Sequence, residues 1–212
     1  VVPVLCANVY ASPATRLTTM AATGTNGKTT TSYLMRAAIA SRFPKASLCG
    51  TVETHVGPIS FEAVRTTAEA PVIARILAAT EEYECGAGII ELSAHALSLH
   101  RVDGIVFDVA AFTNLQHDHL DYYGDMENYF QAKALLFTPE HSRRGVVCVD
   151  DEWGRRLAQQ ATVPVTTVSA LTEEDADWQV RDVTPDQTIG RTVFILVDPS
   201  GTGHRVAMPI LG

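Results

Sequence analysis

The chain has 212 residues, 46% of them hydrophobic, and a formal net charge of −8. That length buries a full core, as one large domain or two small ones. The acidic balance argues against a general nucleic-acid or membrane-surface binder, and no apolar run is long enough to span a bilayer.

No basic region precedes the apolar N-terminal residues, so no signal peptide is evident. Cys6, Cys49, Cys85 and Cys148 are scattered, with neither metal-ligand spacing nor a disulfide framework. A reducing cytoplasm is the compartment this usage implies. The chain starts without methionine and stops at Met208-Pro209-Ile210-Leu211-Gly212, and it reads as a piece of a longer protein.

Residues 1–15 read as a linker, with Val1 to Leu5 as an outgoing strand and Ser12-Pro13 as a turn. Arg16 to Ala21 reads as a buried strand. Gly24-Thr25-Asn26-Gly27-Lys28-Thr29-Thr30 follows, then Leu34, Met35, Ala38 and Ile39 at helical spacing. A glycine-rich loop between a strand and a helix suits an anion. Glycines let backbone N–H groups converge, and the helix start adds free donors and the positive end of the dipole. Lys28 supplies a point charge for outer phosphates and Thr29 a hydroxyl for Mg2+. The general pattern asks for glycine at position 22, where this chain has Ala22. The alternative is an ordinary glycine-rich turn capped by threonines.

Ser47 to Val52 reads as a second strand, and His55 to Phe61 as a turn-rich stretch with His55 solvated. Arg65 to Pro71 opens a helix with Thr67 as N-cap. Thr66 and Thr67 either only cap it or also hold an anion there. Ala87 to Leu92 reads as a central parallel strand with Glu91 at its carboxyl end. A carboxylate there either faces a ligand crevice or is paired in a salt bridge. Ser93 is a candidate N-cap for the next helix, with Arg101 beyond its far end.

Ile105 to Phe112 is the next strand. It runs into a loop holding Asn114, His117, Asp118, His119 and Asp121, a density that suggests metal or nucleotide chemistry, or else a capping and turn cluster. Zinc is a poor match, with no nearby cysteine and a phosphate ligand that prefers magnesium. A helix from Asp125 to Phe137 carries Lys133, which reads as a snorkelling surface lysine. Gly145 to Val149 is a strand, followed by a helix through Arg155 to Ala158 and a strand over Val163 to Ser169. Trp178 to Val183, Thr192 to Val197 and His204 to Met208 read as antiparallel strands, with turns at Pro185-Asp186 and Pro199-Ser200-Gly201.

Taken together, Thr23 to Thr31, Arg65-Thr66-Thr67, Glu91 to Leu97, Arg101 to Gly104, Thr113-Asn114-Leu115, Asp118 to Tyr122, Gly124 to Glu127 and Lys133 resemble the Mur ligases, and within them the MurE type. The phosphate loop alone suggests only the wider superfamily, which includes folylpolyglutamate synthetase; the order of the later motifs singles out MurE. The resemblance implies an α/β central ATPase domain over 16–212: a mostly parallel sheet flanked by helices, with a small antiparallel sheet near the C-terminus. Residues 1–15 would be the linker from an N-terminal domain, and Met208 to Gly212 the hinge into a C-terminal one.

The implied activity is ATP-dependent addition of an amino acid to UDP-MurNAc-L-Ala-D-Glu through an acyl phosphate, by a monomeric cytoplasmic enzyme, with the isolated piece inactive. By the same resemblance Gly24, Thr25, Asn26, Gly27, Lys28, Thr29 and Thr30 hold the ATP phosphates, and Asn114 touches the nucleotide. Thr29, Glu91, His119 and a carbamylated Lys133 hold two Mg2+ ions, and Lys28, His119 and Lys133 serve the chemistry. Thr66, Thr67, Ser93 and Arg101 bind the muropeptide. Departures stand at Ala94, Leu99, Gln116 and His117. The competing readings are another amide ligase of the superfamily, of folylpolyglutamate or polyglutamate type, and an ATP-binding module without catalysis.

Overall fold

The computed structural model describes residues 2–171, 175–188 and 190–209. The expected hinge runs into residues 210–212, which lie outside the described residues. The strands are β1 Thr18–Thr23, β2 Ser47–Cys49, β3 Glu53–Val56, β4 Ile59–Glu62, β5 Ala87–Glu91, β6 Val109–Phe112, β7 Gly145–Cys148, β8 Val165–Ser169, β9 Trp178–Asp186, β10 Arg191–Val197 and β11 Gly203–Met208. The helices are α1 Val2–Val9, α2 Lys28–Ala38, α3 Ala70–Glu82, α4 Ala94–Ser98, α5 Leu120–Tyr123, α6 Met126–Ala134 and α7 Glu152–Gln160.

The strands form one eleven-stranded sheet in the order β11-β10-β9-β8-β7-β6-β1-β5-β2-β3-β4. From β2 to β9 through the centre, all neighbours run parallel. The C-terminal strands pair antiparallel with one another and are appended to the main sheet, as expected, through β9, which pairs parallel to β8. At the opposite edge β2, β3 and β4 pair antiparallel. The stretch His55 to Phe61 is therefore mostly hairpin, and His55 sits half-buried on β3. Pro185 and Asp186 belong to β9.

Helices cover both faces. Alternation along β5 sends Ile89 to one side, where Leu48 packs with Met35 of α2 and its C-cap residue Ile39. Ile90 faces the other, within a larger core that holds Ile73 and Leu77 of α3, Phe130 of α6 and Leu157 of α7. All five residues of β5 are buried, as a central parallel strand requires.

Several local expectations are corrected. Val2 to Val9 is a helix packed on α3, so Val2 to Leu5 do not form the outgoing strand expected of that run; Val1 lies outside the described residues. α3 begins at Ala70 with Glu69 as N-cap, because Pro71 fits the first turn and not the interior. Thr67 lies outside that helix and caps nothing in it. Ser93 and Asp125 do cap α4 and α6, accepting from the Ala96 and Asn128 N–H groups at 3.2 and 2.8 Å. Asp151 caps α7 and its second oxygen accepts from the Leu115 N–H at 2.9 Å, tying that helix to the loop after β6.

Candidate active site

Three neighbouring strands, β6, β1 and β5, end side by side, and their carboxyl ends carry the chemistry-bearing loops. Ala22 pairs with Glu91 and Thr23 with Phe112, so the ladder itself aligns the glycine-rich loop, the carboxylate and Asn114. Ala22 is a fully buried strand residue. The unusual backbone falls instead on Gly24 and Gly27, with φ +149° and +82°, which explains why alanine is accepted at position 22. A Cβ on Gly24 would lie 1.9 Å from Thr113 Oγ1.

Gly27 is the N-cap of α2, so the first N–H groups of that helix have no intrahelical acceptor and open toward the loop. The loop after β6 braces it. Asn114 Oδ1 accepts from the Asn26 N–H at 3.0 Å, and its Nδ2 donates to Asn26 O at 3.1 Å. Thr113 Oγ1 donates to Asn26 O at 2.6 Å, and the Gln116 N–H donates to Thr25 Oγ1 at 2.9 Å. Asn114 thus lies on the loop itself.

Both lysines converge on one atom. Lys28 Nζ donates to Gly24 O and Thr25 O at 3.0 and 2.9 Å, and Lys133 Nζ donates to Gly24 O at 2.9 Å. Lys133 is 1% exposed, which corrects the snorkelling reading. Its ammonium sits 4.6 Å from the Tyr129 ring centroid, one turn back on α6. Burial and the like charge of Lys28, opposed by Asp118, push its pKa down to about 7. Burial also lowers Lys28, with Glu91 and Asp118 opposing.

Glu91 is fully buried. Its Oε2 accepts from Thr29 Oγ1 at 3.0 Å and Thr51 Oγ1 at 2.9 Å. Its Oε1 has no partner. A salt bridge therefore does not account for this carboxylate. An orphaned, buried carboxylate oxygen beside a threonine hydroxyl fits a hard divalent cation. Among the described residues no group of three His, Cys, Asp or Glu side chains forms a protein-only metal cage. That pattern suits Mg2+ held jointly with phosphates. Gly50 makes room for Oε1: a Cβ there would lie 2.0 Å from it. Gly50→Ala is expected to displace the carboxylate and destabilise the fold by about 1–3 kcal/mol, measured by urea unfolding; unchanged stability would show that the site yields freely.

Thr67 is buried and donates to Glu91 O at 2.8 Å while accepting from the Ser93 N–H at 2.9 Å, so it pins the β5–α4 turn. Thr66 is linked through Thr51 to Glu91. Arg101 donates to Thr67 O at 3.0 Å and pairs with Glu69 at 3.0 Å, while its Nε is buried without a partner. Thr66, Thr67, Ser93 and Arg101 thus line one side of the Glu91 turn. His119 stands on the far side, half-exposed, with Nε2 3.5 Å from Asp118 Oδ2. Sequence reasoning missed Gly50, Thr51 and Tyr129, and it counted Thr113 and His95 within motifs without giving them a role. Of the missed residues only Tyr129 left a local signal, its four-residue spacing from Lys133 on one helix.

Comparison with known proteins agrees with this geometry. Residues 22–212 match the Mur ligase middle domain. A UDP-N-acetylmuramyl-tripeptide synthetase of Leifsonia xyli subsp. xyli is 47% identical over 190 residues, 90% of this chain and 37% of the relative. A UDP-N-acetylmuramoyl-L-alanyl-D-glutamate--2,6-diaminopimelate ligase of Streptomyces coelicolor is 44% identical over 210 residues, 98% of this chain and 40% of the relative. A solved structure of a ligase of that same name superposes with a TM-score of 0.80 at 30% identity, covering 92% of this chain and 40% of that one. The chain thus spans about two fifths of the length of the curated relatives it matches. A family match over residues 22–212, with the glycine-rich loop and the buried carboxylate at adjacent strand ends and a buried lysine of α6 reaching that loop, places this chain in the Mur ligase family.

Proposed function

We propose that the full-length protein is an ATP-dependent amide ligase that adds an amino acid to UDP-MurNAc-L-Ala-D-Glu in peptidoglycan precursor synthesis. The observation that carries this is the buried Glu91 carboxylate, with one free oxygen, set between Thr29 and the glycine-rich loop. The names of the relatives supply the substrate class.

In this reading Gly24 to Thr30 cradle the ATP phosphates, Lys28 follows the outer phosphates, and Asn114 holds the loop in shape. Thr29, Glu91 and His119 would hold Mg2+, and bound Mg2+ neutralises the anions that must approach each other. The γ-phosphoryl group passes to the D-glutamate side-chain carboxylate and ADP leaves. The amine of the incoming amino acid then attacks the acyl carbon, losing a proton as phosphate departs. Lysine charge stabilises the oxyanion that develops. Thr66, Thr67, Ser93 and Arg101 orient the muropeptide. Burial lowers the Lys133 pKa to about 7, which makes the neutral amine that reacts with CO2 accessible near neutral pH, and its carbamate would be an anionic ligand for a second Mg2+. The enzyme works as a cytoplasmic monomer; among the described residues no helix is long and apolar enough to cross a membrane.

The test is phosphate release by the full-length protein with UDP-MurNAc-L-Ala-D-Glu plus diaminopimelate or lysine, against a folate acceptor. Turnover only with the muropeptide is expected. Turnover only with folate would reject the reading, as would tripeptide formation by the 212-residue piece for the division into domains.

A further inference from the structure

His95 has no assigned role, yet its ring on α4 packs against His119, the N-cap residue of α5. It lies four residues after Glu91 and two after Ser93, on the same β5–α4 connection. No hydrogen bond or ion pair among the described residues involves its imidazole. Rings surround it instead. His119 meets it edge-on, with centroids 5.1 Å apart at 89°. Tyr122 lies 4.3 Å away and Tyr123 5.3 Å away.

His119 needs outside support. Its backbone is in the left-handed region, φ +53°, at the start of a helix of only four residues. A non-glycine residue stays there only when its surroundings hold it. Its side chain is about half exposed, and besides Asp118 its neighbours are the His95 ring and the Tyr129 ring at 5.9 Å. Edge-to-face ring pairs have a preferred geometry and so fix orientation as well as burying area.

We propose that His95 is a positioning residue whose ring holds the His119 imidazole in register with Glu91 across the site. This rests on the reading of His119 as a metal ligand. Glu91 rides on a central strand and His119 on a loop. His95 is attached to the first and packed against the second, so it sets the distance between the two ligands. The effect comes from the ring, not from a charge or a hydrogen bond.

The experiment is Mn2+ titration of the full-length protein by electron paramagnetic resonance, with a non-hydrolysable ATP analogue present. His119→Ala and His95→Leu are each expected to weaken Mn2+ binding about tenfold or more, the usual cost of losing a ligand or its support. His95→Phe keeps the ring and is expected to stay within about twofold of wild type. Tyr122, 52% exposed, offers a variant that leaves the core intact should His95→Leu not fold: Tyr122→Ser is expected to weaken binding about threefold. Hydrogen exchange over residues 117–124, read without metal, is expected to rise in His95→Leu and not in His95→Phe. Wild-type Mn2+ binding by His95→Leu beside a weakened His119→Ala would overturn the role of His95 alone. Unchanged binding by His119→Ala would overturn the ligand reading and this inference with it. A His95→Phe variant as weak as His95→Leu would show that the imidazole itself, not its packing, is required.

Discussion

Replacing Lys28 with alanine in the full-length protein is expected to lower kcat/KM by about 100- to 1000-fold, the cost of removing one preorganised charge from a phosphoryl or oxyanion site. The ammonium lies 3.0 and 2.9 Å from two loop carbonyls, inside the hollow the loop encloses. Nothing else in the first turn of α2 can replace it, since Thr29 and Thr30 carry no charge and the helix's other cation, Arg36, sits in the last turn. Arginine should not rescue the variant, because a wide planar guanidinium does not fit where a compact ammonium is already held by carbonyl oxygens. Lys45, an exposed lysine just before the amino end of β2 and so away from the carboxyl strand ends that carry the site, supplies the control: Lys45→Ala should behave as wild type. Tripeptide formation followed by chromatography reads the result. A Lys28→Ala protein as active as the control would remove the basis of the nucleotide reading.

Lys133→Met is expected to act in opposite directions on stability and activity. Methionine fills a similar volume without a charge, and replacing a buried ion by an apolar group often stabilises by about 1–4 kcal/mol. The lost hydrogen bond to Gly24 O and the contact with Tyr129 set the gain toward the lower end of that range. The gain has a definite pH signature. The folded chain gives up this proton near pH 7, while the unfolded chain keeps it to about 10.5. Between those values the unfolded state binds more protons, so wild-type stability rises with pH. The advantage of methionine is therefore full below pH 7, shrinks from 7 to 10.5, and disappears above. Urea unfolding at pH 6.5 and pH 10, in metal-free and CO2-depleted buffer, measures it. An advantage of equal size at both values would mean that burial of the charge is not its source. In the full-length protein the same variant should lose at least about 99% of turnover, as expected when a preorganised electrostatic group of the site is removed.

How much was legible in the sequence depended on how local each signal was. Gly24, Gly27, Lys28 and Thr29 act within one loop, so their spacing carries their chemistry. Glu91 was placed correctly because an acid ending an all-apolar strand has few places to go. Thr51, Gly50 and Thr113 act across the sheet on residues 40, 41 and 89 positions away, namely Glu91, Glu91 again and Gly24. No periodicity in their own segments reports that. Lys133 was misread for a related reason: helical spacing shows which neighbours share its face, but not that the phosphate loop closes over it. Thr67 resembled a helix cap by local rules, yet Glu69 took the cap and Thr67 turned to the β5–α4 junction. The N-terminal run, rich in β-branched residues, favoured a strand by composition; from Val2 to Val9 it is a helix packed against α3.

The parallel ladder that joins β6, β1 and β5 has a consequence for how the site fails. Neighbouring strands stand about 4.8 Å apart wherever a sheet exists. The glycine-rich loop and the acid beside it therefore persist as long as the central ladder does. His119 belongs to a loop with a helix of only four residues, the kind of segment that opens on its own below the global transition. Warming should uncouple the two. Nucleotide would still be gripped over a span of temperature in which transfer has already stopped, so the binding isotherm and the rate would fade at separate temperatures.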